Sequence, residues 1–447
     1  MRDLTFLLGF IVMLFWGVRF PHVGVMLWAW TAMIVHTAYV YGFASAIPFN
    51  KIIAGITILG ILMSSEKKKL PANLTFLLLV LFMFWGTISA FTSISSQPFV
   101  MDHWERFVKI ITFSFAVVLI INTKSRIEGL LYAIFLSLGF HGVVAGAKFL
   151  VSGGAFSING PGQSIIGDNN HFALAMVALL PVVIYLYKQA ENRTVRYALM
   201  GSGVIVAVAV MGTFSRGGFL GITAVGLLAL LRSKTKLKFV AALIPVVVLA
   251  VTFAPERWST RMDSISDADR DNSFMGRVVA WKQSTLIALN NPVFGGGFHA
   301  VQDFAVWTDM RRSFYKLDFI PTDQPDNEIA YAAHSIYFEV LGDMGFGGLL
   351  IFLLIFFTSW RNAAVAIRLT HSIEELRWVS ELSTALQYTL VAYVVSGAAL
   401  SMAYFDYIYV VVALLIVLRS IATARVKLLS SPQVRLPGAL GMDQWQR

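Results

Sequence analysis

Apolar runs recur along almost the whole chain, at 4–18, 22–41, 47–63, 74–92, 106–122, 128–151, 171–188, 197–214, 217–232, 237–253, 336–358, 385–404 and 406–420. Most approach the roughly 20 residues a helix needs to cross a bilayer. They lack the alternation of apolar and polar positions, over about ten residues, of a membrane β-barrel strand. Short polar loops separate most runs, and one polar stretch, 255–335, is far longer. The pattern predicts an all-α polytopic integral membrane protein: a single membrane domain over 1–447 with about 12 transmembrane helices and one large loop at 255–335. Run 4–18 would reach only about 22 Å at 1.5 Å per residue. Pro21 parts it from the next run, so this N-terminal pair is expected as a broken or half-inserted span. It follows Arg2 as a signal peptide would, but has no small-x-small cleavage site, so it is read as retained.

Composition sharpens the picture. The chain is 57% hydrophobic with mean hydropathy +0.71, and 13% of its residues are charged, about half the roughly 25% of globular proteins. A globular enzyme on a lone anchor is excluded. The net charge is +10, yet Pro255–Ala333 holds 8 Lys/Arg against 11 Asp/Glu. The excess base lies in short loops: Lys67, Lys68 and Lys69; Lys124 and Arg126; Lys188, Arg193 and Arg196; Arg232, Lys234, Lys236 and Lys238; Arg361 and Arg368; Arg419, Arg425 and Lys427. The positive-inside rule makes these cytoplasmic and puts 93–105, 152–170, the turn at 215–218 and the loop 255–335 on the opposite face. Segment 361–383 mixes charges with apolar residues and reads either as a cytoplasmic amphipathic helix on the membrane surface or as a solvated connector. No basic, aromatic-interleaved stripe offers a path to nucleic acid. The absence of cysteine excludes disulfides, iron–sulfur clusters and thiolate chemistry.

Candidate chemistry collects on the face opposite the basic loops. Ser215-Arg216-Gly217-Gly218 interrupts two apolar runs. An arginine at the edge of hydrocarbon needs either an escape to the interface or an anionic partner. It is therefore a snorkelling turn residue or an anion clamp. In the long loop, apolar positions 278, 281, 285, 286 and 289 predict an amphipathic helix stopped by Pro292 before Gly295-Gly296-Gly297. Arg277 would stand near its N-terminus, where backbone amides attract anions, or would be a surface charge. His334 stands where the loop becomes a span; an imidazole there can serve as a general base near neutral pH or as an interfacial hydrogen-bonding group. Tyr337 shares its helical face. Glu339 and Asp343, four residues apart, could line a polar cavity or face solvent. Asp168-Asn169-Asn170-His171 lies at a span boundary, where Asp168 and His171 either cap the helix or line the site. Asp267, Asp269 and Asp271 imitate a calcium loop, but its sixth and twelfth positions are Asn272 and Val278. No metal site and no cofactor are expected.

Together these residues resemble the bacterial O-antigen ligase and polymerase superfamily. The ligase pattern His-[Asn/Ser/Gln]-x9-Gly is met by His334-Ser335, nine residues, then Gly345, whereas His371-Ser372 reaches Leu382. Thr213-Phe214-Ser215-Arg216-Gly217-Gly218 looks like the family's outer-face arginine motif. Arg277 with Trp281, Pro292 and Gly295-x-Gly297 looks like its second arginine block. The opening Val18-Arg19-Phe20-Pro21-His22-Val23-Gly24 looks more like a subgroup found with exosortase-type sorting systems. The resemblance implies a C-type glycosyltransferase fold in the inner membrane with its active site facing the periplasm. It implies transfer of a glycan from undecaprenyl pyrophosphate to a sugar hydroxyl of lipid A–core, by a metal-free inverting displacement. Arg216 and Arg277 would hold the pyrophosphate and His334 would activate the hydroxyl. A polymerase or a protein O-oligosaccharyltransferase of the same superfamily is the near alternative. A transporter of lipid-linked oligosaccharide is the distant one, disfavoured because the suspicious charges gather at one face rather than mid-membrane.

Overall fold

A computed structural model describes residues 2–35, 40, 42–66, 68–162, 164–236, 272–319, 321–322 and 330–430. The predicted span 237–253, Lys238 and the acidic run Asp267, Asp269 and Asp271 lie outside them. The described residues are all-helical. In chain order the main helices are α1 (Arg2–Arg19), α2 (Pro21–Met33), α3 (Phe49–Met63), α4 (Leu74–Phe91), α5 (Gln97–Ile120), α6 (Lys124–Ile134), α7 (Phe140–Val151), α8 (Asn169–Gln189), α9 (Arg193–Gly212) and α10 (Arg216–Arg232). Then come α11 (Asn272–Asn290), α12 (Phe304–Arg311), α13 (Ile336–Thr370), α14 (Arg377–Ser396) and α15 (Asp406–Ser430). A π turn, Phe135–Gly139, fuses α6 and α7 into one continuous run.

Polar residues between the apolar runs start several of these helices. The side chains of Asn73, Asp168, Asn192 and Ser215 each accept a hydrogen bond from backbone amides in the first turn that follows, satisfying donors that have no intrahelical partner.

Seven helices among the described residues are long and apolar enough to cross a membrane: Leu74–Phe91, Lys124–Val151, Asn169–Gln189, Arg193–Gly212, Ile336–Thr370, Glu374–Ala399 and Asp406–Leu428. The protein is thus a polytopic helical membrane protein. Other expected spans take different forms. α2 stops at Met33, not 41, and α10 has 17 residues. α5 begins at Gln97 rather than 106, so it carries Asp102, Glu105, Arg106 and Lys109 within the helix. α13 runs to Thr370, and segment 361–383 is its last turns, a 3-10 turn at Glu374–Leu376 and the start of α14.

Two helices make the centre. α8 packs on α9, α10 and α14, and α15 packs on α4, α5, α13 and α14. From Tyr407 to Leu418 no residue of α15 is more than 4% exposed, so it is surrounded by protein rather than lipid. The described part of the long loop has its own small core, in which Leu286, Ile287, Trp307, Phe314 and Leu317 pack together.

The loops sort into two opposite groups. At one end Arg126 makes a two-bond pair with Glu66 at 2.8 and 2.9 Å. Gln189 there bridges Lys124 and Glu381, and Arg232 bonds Gln387. These are the loops expected to be cytoplasmic. At the other end 93–96, 168–171, 213–216, 291–303, 334 and 400–404 bond to one another. That end holds the candidate chemistry.

Candidate active site

Three chain segments far apart in sequence meet around His334. Asp168 caps α8 through Oδ1, which accepts from the amides of Asn170 at 2.7 Å and His171 at 2.9 Å, while Oδ2 pairs with His171 Nδ1. Of the two readings of this run, the structure thus shows the helix cap. One residue on, Asn170 Oδ1 accepts from Ser215 Oγ at 2.8 Å, and Asn169 Nδ2 donates to Thr213 O at 2.9 Å. Ser215 in turn caps α10 by accepting from Gly218 N at 3.1 Å. Arg216 is therefore fixed at the first position of α10, beside the His171 end of α8.

The third segment was not legible as functional. Ser401, in the turn between α14 and α15, accepts from the amide of His334 at 2.7 Å, and its carbonyl lies 3.3 Å from His171 Nε2. One small residue therefore joins the two histidines. The His334 imidazole is half-buried and forms no hydrogen bond among the described residues. Burial first, then the nearby Arg277 cation and His171, push it below its ordinary 6.5, against the pull of Asp168. Arg277 is thus near His334, as the motifs require. It is the sixth residue of α11, however, because that helix extends back to Asn272. The first-turn amides are then not its immediate partners, and the helix-terminus argument for it fails. Burial also differs from the expected stripe: Leu289 is 51% exposed while Ala280 and Gln283 are buried.

Among the described residues, four non-glycine residues have positive φ: Val35, Phe214 (52°), His299 (56°) and His334 (45°). Three of them are at this end of the bundle, and Phe214 immediately precedes Ser215-Arg216. A side chain in that region costs about 1–2 kcal/mol, and such residues persist where surroundings overdetermine them, often at functional sites.

Behind His334, Glu339 and Asp343 are buried rather than facing solvent. Glu339 Oε2 accepts from Ala403 N at 2.8 Å, and its Oε1 lies 3.6 Å from His299 Nε2. Asp343 accepts from His299 N and from Tyr404 OH, both at 2.8 Å. His299 stacks on His103 with centroids 3.8 Å apart. Burial, reinforced by His103 and Arg106, lowers His299 to about 3, so it is neutral at physiological pH. Tyr337 donates to Val394 O at 2.9 Å, tying α13 to α14. Sequence reasoning missed His103, His299, Ser401 and Tyr404. None sits in a local pattern, and only the His299 position beside the triple glycine offered any signal.

The glycines of the second block shape α13. Gly345 breaks it with φ 68° and ψ −170°. A Cβ there would stand 2.7 Å from Pro292 O and 2.8 Å from Gly295 N. The loop backbone presses into this break: Gly296 N donates to Gly342 O at 2.8 Å, Gly297 N to Asp343 O at 2.9 Å, and Phe346 N to Pro292 O at 3.0 Å. From α4, Ser89 Oγ bonds Asp343 O at 2.6 Å and Trp85 Nε1 bonds Met344 O at 3.1 Å. Irregular backbone inside a membrane protein persists only when so satisfied. The glycine ending the His-Ser-x9-Gly motif is therefore a structural requirement, and the triple glycine is a clasp. Among the described residues, no group of three or more His, Asp or Glu could hold a metal ion.

Residues 201–353, which include Arg216, Arg277 and His334, match the family model described as O-antigen ligase. Residues 1–192, which include Asp168 and His171, match a family of unknown function (DUF5935). A search of curated proteins finds no match. Ser401 lies outside both matched segments.

Proposed function

Because residues 201–353 match the family model described as O-antigen ligase, we propose that the chain transfers a glycan from undecaprenyl pyrophosphate to a sugar hydroxyl of lipid A–core. The reaction would occur at the periplasmic face of the inner membrane, in a fold of about twelve spans of the C-type glycosyltransferase kind. The observation that carries this reading is the gathering of His334, Arg277, Asp168–His171 and the Ser215–Arg216 turn at the end of the bundle opposite the basic loops. That end is periplasmic if the basic loops are cytoplasmic.

In the proposed reaction the acceptor oxygen attacks the anomeric carbon and forms the new glycosidic bond. The bond from that carbon to the pyrophosphate oxygen breaks on the opposite side, giving inversion. The hydroxyl proton passes to the His334 imidazole. That group has a free nitrogen, and its lowered pKa keeps it unprotonated at neutral pH. Charge developing on the pyrophosphate is met by Arg216 and Arg277, whose planar forks can bond its oxygens in pairs. Preorganised donors of this kind contribute about 3 kcal/mol each in a dry site. No divalent ion is invoked, since two guanidiniums can offset the leaving-group charge.

Reconstitution tests the assignment. The purified chain is given a defined lipid-linked glycan with either lipid A–core or a second lipid-linked repeat. Elongation of lipid A–core is expected. Elongation of the second repeat instead would make the protein a polymerase, and no transfer to either would favour a transporter.

A further inference from the structure

A cavity of about 570 Å³ lies on the far side of the turn that carries Ser401. Its lining includes Phe405 from that turn and Asp406 at the start of α15, and it is bounded by α2, α5 and the segment just before Asp168. Arg106 and Lys109, three residues apart on α5, both reach it. Lys109 also pairs with Glu105 at 3.2 Å, and Glu105 pairs with Lys51 at 2.8 Å. Arg106 has no hydrogen bond or ion pair among the described residues, although Asp406 lines the same space. The three cations Lys51, Arg106 and Lys109 outnumber the two carboxylates Glu105 and Asp406, leaving one positive charge. Asn50 also lines the cavity, and its side-chain oxygen is buried without a donor. Trp28 and Ile166 give it apolar walls.

A half-buried guanidinium with no ion pair can hold an anion, and a buried acceptor calls for a donor. We propose that this cavity is a second anion site. It takes one singly charged phosphate with a hydroxyl beside it, the chemistry of a phosphodiester lipid headgroup bearing a free alcohol. Arg106 and Lys109 hold the phosphate, and the alcohol donates to Asn50. One such group neutralises the excess charge, and the apolar walls suit the first carbons of a lipid. The inference does not rest on the transfer reaction proposed above.

The full chain in detergent is titrated with dihexanoyl phosphatidylglycerol, with dihexanoylglycerol (which lacks the phosphate) and with inorganic phosphate, while thermal unfolding is followed. Phosphatidylglycerol is expected to stabilise and dihexanoylglycerol not to. The double variant Arg106→Gln, Lys109→Gln should weaken the apparent affinity about 10- to 100-fold, as loss of charge-assisted bonds requires. Arg216→Gln should bind phosphatidylglycerol as the unaltered chain does, which separates this cavity from the donor site. Asn50→Leu keeps the cations and should abolish any preference for phosphatidylglycerol over phosphatidylmethanol, which has no hydroxyl. An inorganic phosphate response as strong as that of the lipid, and lost in the double variant, would support the site with free phosphate as its source. Equal responses to phosphatidylglycerol in the unaltered chain and the double variant would overturn it. So would stabilisation by dihexanoylglycerol equal to that by phosphatidylglycerol.

Discussion

Ser401 is the sharpest point at which to perturb the site, because its side chain does one identifiable thing. Its Oγ accepts from the amide of His334, a residue held at φ 45°. That conformation is disfavoured by about 1–2 kcal/mol, and a hydrogen bond of this kind offsets about 0.5–1.5 kcal/mol. Ser401→Ala removes the acceptor and leaves a part-buried N–H without a partner, at a cost of about 1–3 kcal/mol. Relaxation of His334 away from positive φ then becomes the favoured response. At about 1.4 kcal/mol per tenfold, the correctly placed population should fall about 5- to 150-fold. kcat should fall by that factor, while KM for donor stays within about twofold because the arginines are not displaced. Ser401→Thr retains the oxygen and should restore most of the loss. Single-turnover transfer from a radiolabelled lipid-linked glycan would measure both parameters. Unchanged kcat in Ser401→Ala, or an equal loss in Ser401→Thr, would refute the claim that this bond positions His334.

Other expectations follow from the same geometry. The acid limb of kcat/KM should lie below pH 6.5, since activity needs neutral His334 and is lost as pH falls through its lowered pKa. In Arg277→Gln the limb should move upward, and an unmoved limb in the residual activity would separate Arg277 from His334. Lysine at Arg216 or Arg277 keeps the charge but not the planar fork. Transfer should drop at least tenfold with the protein still inserted; near-normal rates in both would remove the bidentate clamp. Gly345→Ala places a Cβ 2.7 Å from Pro292 O at φ 68°. It should lower thermal stability by more than the about 1–2 kcal/mol of the backbone conformation alone, read as a lower Tm in detergent. A cysteine at Ser313, in the loop 255–335, should react with an impermeant thiol reagent in intact spheroplasts. Reaction only after lysis would reverse the proposed orientation.

Much of the helical framework was legible because burial in lipid or protein demands continuous apolar runs. The expected runs 74–92 and 217–232 appear as Leu74–Phe91 and Arg216–Arg232. Errors fell where helices carry polar residues that tertiary partners satisfy. Asn362, read as part of a membrane-surface helix or a solvated connector, lies inside α13 and bonds Asn73, Thr75 and Arg419. Glu105, read as loop, is paired with Lys51 and Lys109 within α5. In the site, His334, Arg216 and Arg277 were legible because motif spacing is local. Ser401 was not, since its role is set by partners 67 and 230 residues away. Glu339 is buried rather than facing solvent, and its carboxylate holds the Ala403 amide and so braces the Ser401 turn.

The encirclement of α15 bears on the order in which the chain can be completed. The partners that close the break in α13, namely Trp85, Ser89, Gly296 and Gly297, all precede it. That break can therefore close before the helices that follow α13 are made. The residues that brace His334 and Glu339 come later, at 401–403, and the helix that fills the centre later still. A nascent chain halted before 401 thus holds every motif residue but not the geometry that aligns them, and it has an apolar slot where α15 belongs. Under the proposed function, activity would be withheld until synthesis has passed the membrane core, and an incomplete protein would not draw on the donor.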